Sequence, residues 1–99
     1  LGTGTGTVTL TYNGYDQPDK FQVFFDGAKV IDTGYRGGST WQTAIDEALA
    51  ARGLPSETIA GTGTGTATFT KSTASRYAVV RVYAPLEGTA WAFILGCPV

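Results

Sequence analysis

Apolar and polar residues alternate along six short stretches of the chain. In the first of them, Val8, Leu10 and Tyr12 alternate with threonines. A period of two residues places such side chains on opposite faces of a β-strand, so that one face is buried and the other carries hydroxyl groups. The predicted strands cover residues 7–12, 21–25, 28–32, 66–70, 77–84 and 89–95. Such a series, punctuated by turn residues, predicts a mainly β fold: a small antiparallel β-sandwich of jelly-roll or immunoglobulin-like type.

The connection between the second and third predicted strands has a specific turn signal. Asp26-Gly27 stands between two apolar runs. A two-residue type I′ turn needs positive φ at both central residues, which Asp-Gly tolerates, so a tight hairpin is expected here. Gly34, Gly37 and Gly38 then predict an end to the strand pattern.

One segment, near residues 40–52, has helical periodicity. Ser39 or Thr40 is the expected N-cap, and Gly53 is a natural residue to end the helix. The helix is expected to close one end or one face of the sandwich; the alternative is a docking element for a partner. Its apolar stripe consists of Trp41, Ala44, Ile45, Ala48 and Leu49.

The chain also contains an internal repeat. Residues 1–11 read LGTGTGTVTLT and residues 60–70 read AGTGTGTATFT, with eight of eleven positions identical at an offset of 59. This predicts a single domain, 1–99, with similar halves 1–38 and 60–99 joined by a helical segment, 39–53. Each half is expected to supply one inner face of the sandwich. The alternative is that Gly-Thr and Val-x-Val patterns arise in β-proteins without duplication.

Composition narrows the possible chemistry. The chain has 99 residues, no His, one Cys and a net charge of −1. Histidine-based catalysis, an intrachain disulfide and a basic surface for nucleic acid are therefore not expected. The longest apolar run, Ala90–Leu95, is too short to insert into a membrane. Because Leu1 is not an initiator Met, we expect a processed chain or one domain of a longer polypeptide.

The glycine-rich segments do not predict a nucleotide site, because each is followed by a strand rather than by a helix N-terminus. An extended segment of this kind can instead add to the sheet edge of a neighbouring subunit. The alternative is a surface strand paired within its own domain. The candidate assembly-edge residues are Gly2, Thr3, Gly4, Thr5, Gly61, Thr62, Gly63 and Thr64.

Oxygen-bearing side chains cluster in one predicted loop. Asn13, Asp16 and Asp19 are close enough in sequence to form a calcium site, although they are also ordinary turn residues. No other cofactor is expected. Nothing indicates a cleft with paired carboxylates, so we do not expect an enzyme.

Aromatic residues offer a second candidate site. Tyr15, Tyr35 and Trp41 lie in or next to predicted loops and together could stack on sugar rings. The alternative is that Trp41 and Trp91 are core anchors. Cys97 is expected to be a buried, inert residue rather than a cross-link to another chain.

The motif PDKFQVFFDGAKVIDTG (18–34), with the later GTAW (88–91) and Cys97-Pro98, resembles a β-sandwich accessory module of bacteriophage structural proteins and secreted bacterial proteins. The inserted helix and the duplicated Gly-Thr segment are not part of that pattern. The resemblance covers about half of the chain and implies a virion or accessory domain. It implies no catalytic residue.

These observations favour a structural or assembly protein of a phage virion (capsid decoration, tail or fibre) or of an extracellular fibre. Its expected partners are copies of itself or other virion or fibre proteins. The alternative is a carbohydrate- or surface-binding module that contacts cell-surface glycans. Sixteen threonines and only 15% charged residues fit a virion or extracellular setting.

Overall fold

Six strands form two three-stranded antiparallel sheets, which pack face to face. The structure is a computed structural model that describes residues 1–98; Val99, the last residue of the predicted domain, lies outside the described residues. The result confirms the predicted mainly β sandwich with one inserted helix. The strands are β1 (Gly6–Asn13), β2 (Asp19–Phe25), β3 (Ala28–Arg36), β4 (Thr64–Lys71), β5 (Ala78–Tyr83) and β6 (Ala92–Leu95).

Each sheet takes strands from both sequence halves. Sheet I has the order β4-β1-β6 and sheet II the order β3-β2-β5. The expectation that each half supplies one inner face is therefore wrong. The chain crosses from sheet I to sheet II between β1 and β2, so the neighbours of β1 must come from the second half. The repeated segments pair with each other instead, with Thr7 opposite Thr70 and Thr11 opposite Thr66.

The inner faces of the sheets form one apolar core. Contacts between aromatic rings join the sheets: the ring centroids of Tyr12 and Phe21 are 5.4 Å apart, and those of Phe25 and Phe69 are 5.5 Å apart. Such pairs add to the stabilisation that comes from burying apolar area. The buried apolar residues of this core are Val8, Leu10, Tyr12, Phe21, Val23, Phe25, Ile31 and Phe69.

The hairpin between β2 and β3 has the predicted type I′ geometry, with φ of 50° at Asp26 and 77° at Gly27. The predicted strand end at Gly34 is wrong, because β3 continues to Arg36. One extra residue of β3 is accommodated between the pairs Gln22↔Asp32 and Lys20↔Tyr35, and Gly34 has a φ of 65° at this bulge. The bulge places Tyr35 on the outer face of sheet II, because an extra residue reverses the alternation of side chains.

The helical segment starts as a 3-10 turn, Ser39–Trp41, and continues as α1, Gln42–Ala51. Neither Ser39 nor Thr40 acts as a side-chain cap; Gly38 is the N-cap and its carbonyl accepts a hydrogen bond from Trp41 N. The C-terminal end confirms the prediction. Gly53 has a φ of 70°, its N–H donates to Ala50, and Leu54 N donates to the Leu49 carbonyl. These are the two hydrogen bonds of a Schellman motif.

The helix covers one end of the outer face of sheet II. Ile45 and Leu49, both buried members of the predicted stripe, pack with Tyr35 in a small second cluster, together with the half-buried Ile59 and Leu86. Sheet II is therefore covered on both faces at this end. Its opposite end, next to the Asp26-Gly27 turn, has no such cover in the part of the chain that the structure describes.

Candidate binding surfaces

The predicted calcium ligands serve three different purposes. The Asn13 side-chain oxygen accepts a hydrogen bond from Tyr15 N, and the Asp16 carboxylate accepts one from the Trp41 indole at 2.8 Å. Asp19 is fully buried at the start of β2. Within residues 1–98, no three Asp, Glu or Cys side chains form a group that could hold a metal ion.

Asp19 has an unusual environment. Both of its carboxylate oxygens are buried, and neither has a hydrogen-bond partner among the described residues. Burial raises the pKa of Asp19 to about 6, and the nearby Thr89 side chain opposes this shift. The neighbouring Arg36 does not pair with it; its guanidinium donates to the Thr62 carbonyl instead. Asp19 is therefore an inaccessible carboxyl group rather than part of a ligand site.

The three candidate sugar-binding aromatics do not form one exposed patch. Tyr15 is exposed, with a φ of 57°, and Trp41 is half-buried against Asp16. Tyr35 is buried beneath α1, where burial raises its pKa to about 12 and Glu57 adds to the effect. The bulge in β3 is the physical reason why Tyr35 is covered rather than free.

The two Gly-Thr segments differ in their surroundings. Residues 2–5 are exposed and precede β1. The second segment is held inside the fold, because Gly61 and Gly63 accept hydrogen bonds from Gly37 N and Gly14 N. A Cβ on Gly63 would collide with the Tyr15 carbonyl. The assembly-edge prediction is therefore wrong at Gly61 and Gly63, whose carbonyls already have partners, and also at Gly4, whose carbonyl accepts a hydrogen bond from Lys71 Nζ.

The two sides of the sandwich are sealed to different degrees. On one side β3 and β4 contact each other, and Phe69 and Ile31 are buried there. On the other side, which we call the open side, the edge strands β5 and β6 make no comparable contact. Their inward side chains Val80, Val82 and Leu95 are only partly buried against the core. The open side thus leaves part of the core accessible to solvent.

Large apolar side chains are concentrated around this open side. Trp91, expected in the core, is 45% exposed and stacks on Phe93 with 6.1 Å between ring centroids. The core-anchor interpretation of Trp91 is therefore wrong, because no further strand formed by residues 1–98 covers the ring. Cys97 is likewise exposed, not buried. Six of the eight exposed large apolar residues in 1–98 lie in or next to the two strands that border the open side: Trp91, Phe93 and Ile94 at β6, and Tyr77, Val79 and Tyr83 at the outer face of sheet II.

A groove of about 640 Å³ lies at the uncovered end of the outer face of sheet II. Two arginines, Arg76 and Arg81, line it together with the most exposed aromatic residue, Tyr77. We call this the arginine groove. Phe24, Val79 and Asp26 complete its wall. The sequence prediction missed it, although Tyr77, Val79, Arg81 and Tyr83 alternate with small apolar residues and mark an outward face that contains a cation.

Comparisons with protein-family models, with curated protein sequences and with solved structures find no match to this chain. Among the described residues, no helix has the length and apolar character needed to cross a membrane.

Proposed function

We propose that this chain is a non-enzymatic assembly domain that binds further copies of itself, as a structural part of a phage virion or an extracellular fibre. The open side of the sandwich is the observation that supports this role. Exposed apolar area of this kind is favourable to bury against a partner and marks interaction surfaces in soluble proteins. The virion or extracellular setting rests on the sequence resemblance and on the low charge of the chain.

The edge strand β6 is the centre of the proposed contact. Its four residues, AFIL, include no charge, and Ile94 is 71% exposed. By contrast, the edge strand β3 carries Lys29, Asp32 and Arg36. Charged side chains on an edge oppose pairing with other chains, whereas an uncharged edge offers free backbone groups next to apolar side chains. A strand or apolar face of another copy therefore fits β6 better than β3.

The outer face of sheet I gives further support. Thr7, Thr9 and Thr11 of β1 stand opposite Thr70, Thr68 and Thr66 of β4, so three cross-strand pairs between these two strands consist of threonine alone. A threonine face can approach another copy without the desolvation of charges, which is expensive in an interface. Contacts that begin at β6 can thus extend over this face.

Sedimentation velocity over a concentration series tests the proposal. Ile94 and Thr66 lie on either side of Thr11 in the same row of sheet I, so Ile94→Lys and Thr66→Lys place the same charge on the same face. The wild-type chain is expected to associate, Ile94→Lys to lower the association constant about tenfold or more, and Thr66→Lys to change it less.

A wild-type chain that stays monomeric up to about 1 mM would contradict the assembly role, because the affinity between copies would then be too weak to support an assembly. Equal effects of Ile94→Lys and Thr66→Lys would contradict the location at β6. Thermal unfolding of both variants shows whether each retains the fold. Because both positions are exposed, we expect little change in the unfolding temperature.

The alternative function, a carbohydrate- or surface-binding module, does not find support in Tyr15, Tyr35 and Trp41, because Tyr35 is buried. The arginine groove is a different place for that kind of binding.

A further inference from the structure

Two of the seven cationic side chains differ from the others in lacking a polar partner within residues 1–98. Lys20 pairs with Glu57 at 2.7 Å, and Lys29 pairs with Asp32 at 3.0 Å. The side chains of Lys71, Arg36 and Arg52 donate to main-chain carbonyls. Arg76 and Arg81 form neither an ion pair nor a side-chain hydrogen bond in this part of the chain, and both line the arginine groove. The groove therefore presents the two guanidinium groups that are free to bind an anion.

Local contacts orient the side chain of Arg81 and hold the main chain of Arg76. The Arg81 guanidinium lies over the Phe24 ring, 4.8 Å from its centroid, which is a favourable cation–π distance. The main chain at Arg76 is held by a hydrogen bond of 2.6 Å from Leu1 N to its carbonyl. A planar guanidinium that is already oriented loses little freedom when it binds a carboxylate through two parallel hydrogen bonds.

The remaining walls supply the contacts that a sugar needs. Tyr77 is 84% exposed, so a face of its ring is free for stacking. Asp26 accepts a hydrogen bond from Thr73 Oγ1 at 2.8 Å, and hydrogen bonds from Ser75 and Thr73 keep the pKa of Asp26 below its usual value. Its ionised carboxylate can accept hydrogen bonds from sugar hydroxyls, but it would repel the second carboxylate of a densely acidic peptide.

We propose that the arginine groove binds a carboxylated sugar of an acidic glycan, with its carboxylate held by Arg76 and Arg81 and its ring stacked on Tyr77. Charge complementarity favours this ligand over a neutral sugar, because two guanidinium groups and one carboxylate line the groove and neither arginine forms an ion pair within residues 1–98. The site lies on the outer face of sheet II, away from β6, so it does not depend on the proposed assembly role.

Isothermal titration calorimetry with two probes tests the proposal. The methyl glycoside of galacturonic acid represents uronic acids and sialyllactose represents sialic acids; each carries one carboxylate, and the tighter binder identifies the source of the carboxylate. Lactose is the neutral control and hexaglutamate is the peptide control. At least one carboxylated probe is expected to bind about tenfold or more tightly than lactose, and its affinity is expected to fall as salt rises.

Variants locate the site. Arg81→Gln, Arg76→Gln and Tyr77→Ala are each expected to weaken that binding about tenfold. Lys29→Gln is the control: it removes a cation from β3, which pairs with β2 in the same sheet, and it is expected to leave binding unchanged. All four positions are exposed, and thermal unfolding confirms that each variant is folded.

Three results would overturn the proposal: no binding of either carboxylated probe, hexaglutamate binding as tightly as the better sugar, or an equal loss in Lys29→Gln and Arg81→Gln. The second result would identify an acidic peptide as the ligand instead. Unchanged binding in Tyr77→Ala would overturn the stacking contact. Because sugar binding is measured on the wild-type chain whatever its association state, failure here is distinguishable from failure of the assembly proposal.

Discussion

The buried carboxyl group of Asp19 leads to a prediction about stability and pH. Asp19 is 0% exposed, and its oxygens have no hydrogen-bond partner among the described residues. Its pKa is raised by burial from 3.8 to about 6 in the folded chain. Since the folded state holds the proton more tightly, this group favours folding below pH 3.8, and that contribution is lost as the pH rises through about 6.

The size of the effect follows from the two pKa values. A carboxyl group whose pKa rises from 3.8 to about 6 on folding destabilises the folded state when it is ionised. At a pH above both pKa values it lowers the free energy of unfolding by about 3 kcal/mol. The substitution Asp19→Asn keeps the shape and removes the charge. Because the amide is also buried without a partner, we expect a gain of about 1–3 kcal/mol at pH 8. Near pH 4 the gain should disappear.

Urea unfolding followed by tryptophan fluorescence from pH 4 to pH 8.5 measures this difference. Asp26 and Asp32 have lowered pKa values, so they make the free energy of unfolding rise with pH, opposite to Asp19. Because they are present in both proteins, the difference between variant and wild type at each pH cancels their contribution. Glu47→Gln, on the exposed face of α1, is the matched control and should show no such trend. An Asp19→Asn variant that is less stable than wild type at pH 8, or a difference independent of pH, would refute the reasoning.

Close backbone contacts and a buried cation lead to the other predictions, all measured by urea unfolding. Gly63→Ala should lower the free energy of unfolding by about 1–3 kcal/mol, because the new methyl meets the Tyr15 carbonyl; Gly4→Ala, which faces open space, should change it little. Lys71→Met should cost about 2–3 kcal/mol, because two main-chain carbonyls lose a charged donor. Gly53→Ala should cost about 1 kcal/mol, since φ there is positive.

Features that depend on neighbouring residues were predictable. The Asp26-Gly27 turn, the helical stripe with Ile45 and Leu49 and the helix end at Gly53 all follow from backbone preferences or from periodicity within a few residues. The alternation along β1 correctly separates the core residues from the threonines. In each case the information lies within one turn or one strand.

Features that depend on distant strands were not predictable in this way. The repeat shows that two segments are similar, but it does not say that they pair with each other across sheet I. The arginine groove requires the residues before β5 to meet the β2–β3 turn, about 50 positions away in the sequence. The one-residue bulge in β3, where Gly34 has a positive φ, appears only in the pairing of β3 with β2, and it reverses the orientation of Tyr35.

The sequence by itself determined the order of the strands, the hairpin, the helix and the residues that share each face of β1 and of α1. The tertiary structure decided which of those faces are covered. Trp91 lies beside the open side, so it is exposed although it is apolar, whereas Tyr35 on an outer face is buried because α1 packs over it. Periodicity assigns a side chain to a face, but burial depends on whether a second layer reaches that face. For Tyr35 that layer is α1, the next element along the chain, whereas no strand within residues 1–98 covers Trp91, so only the assembled fold decides burial.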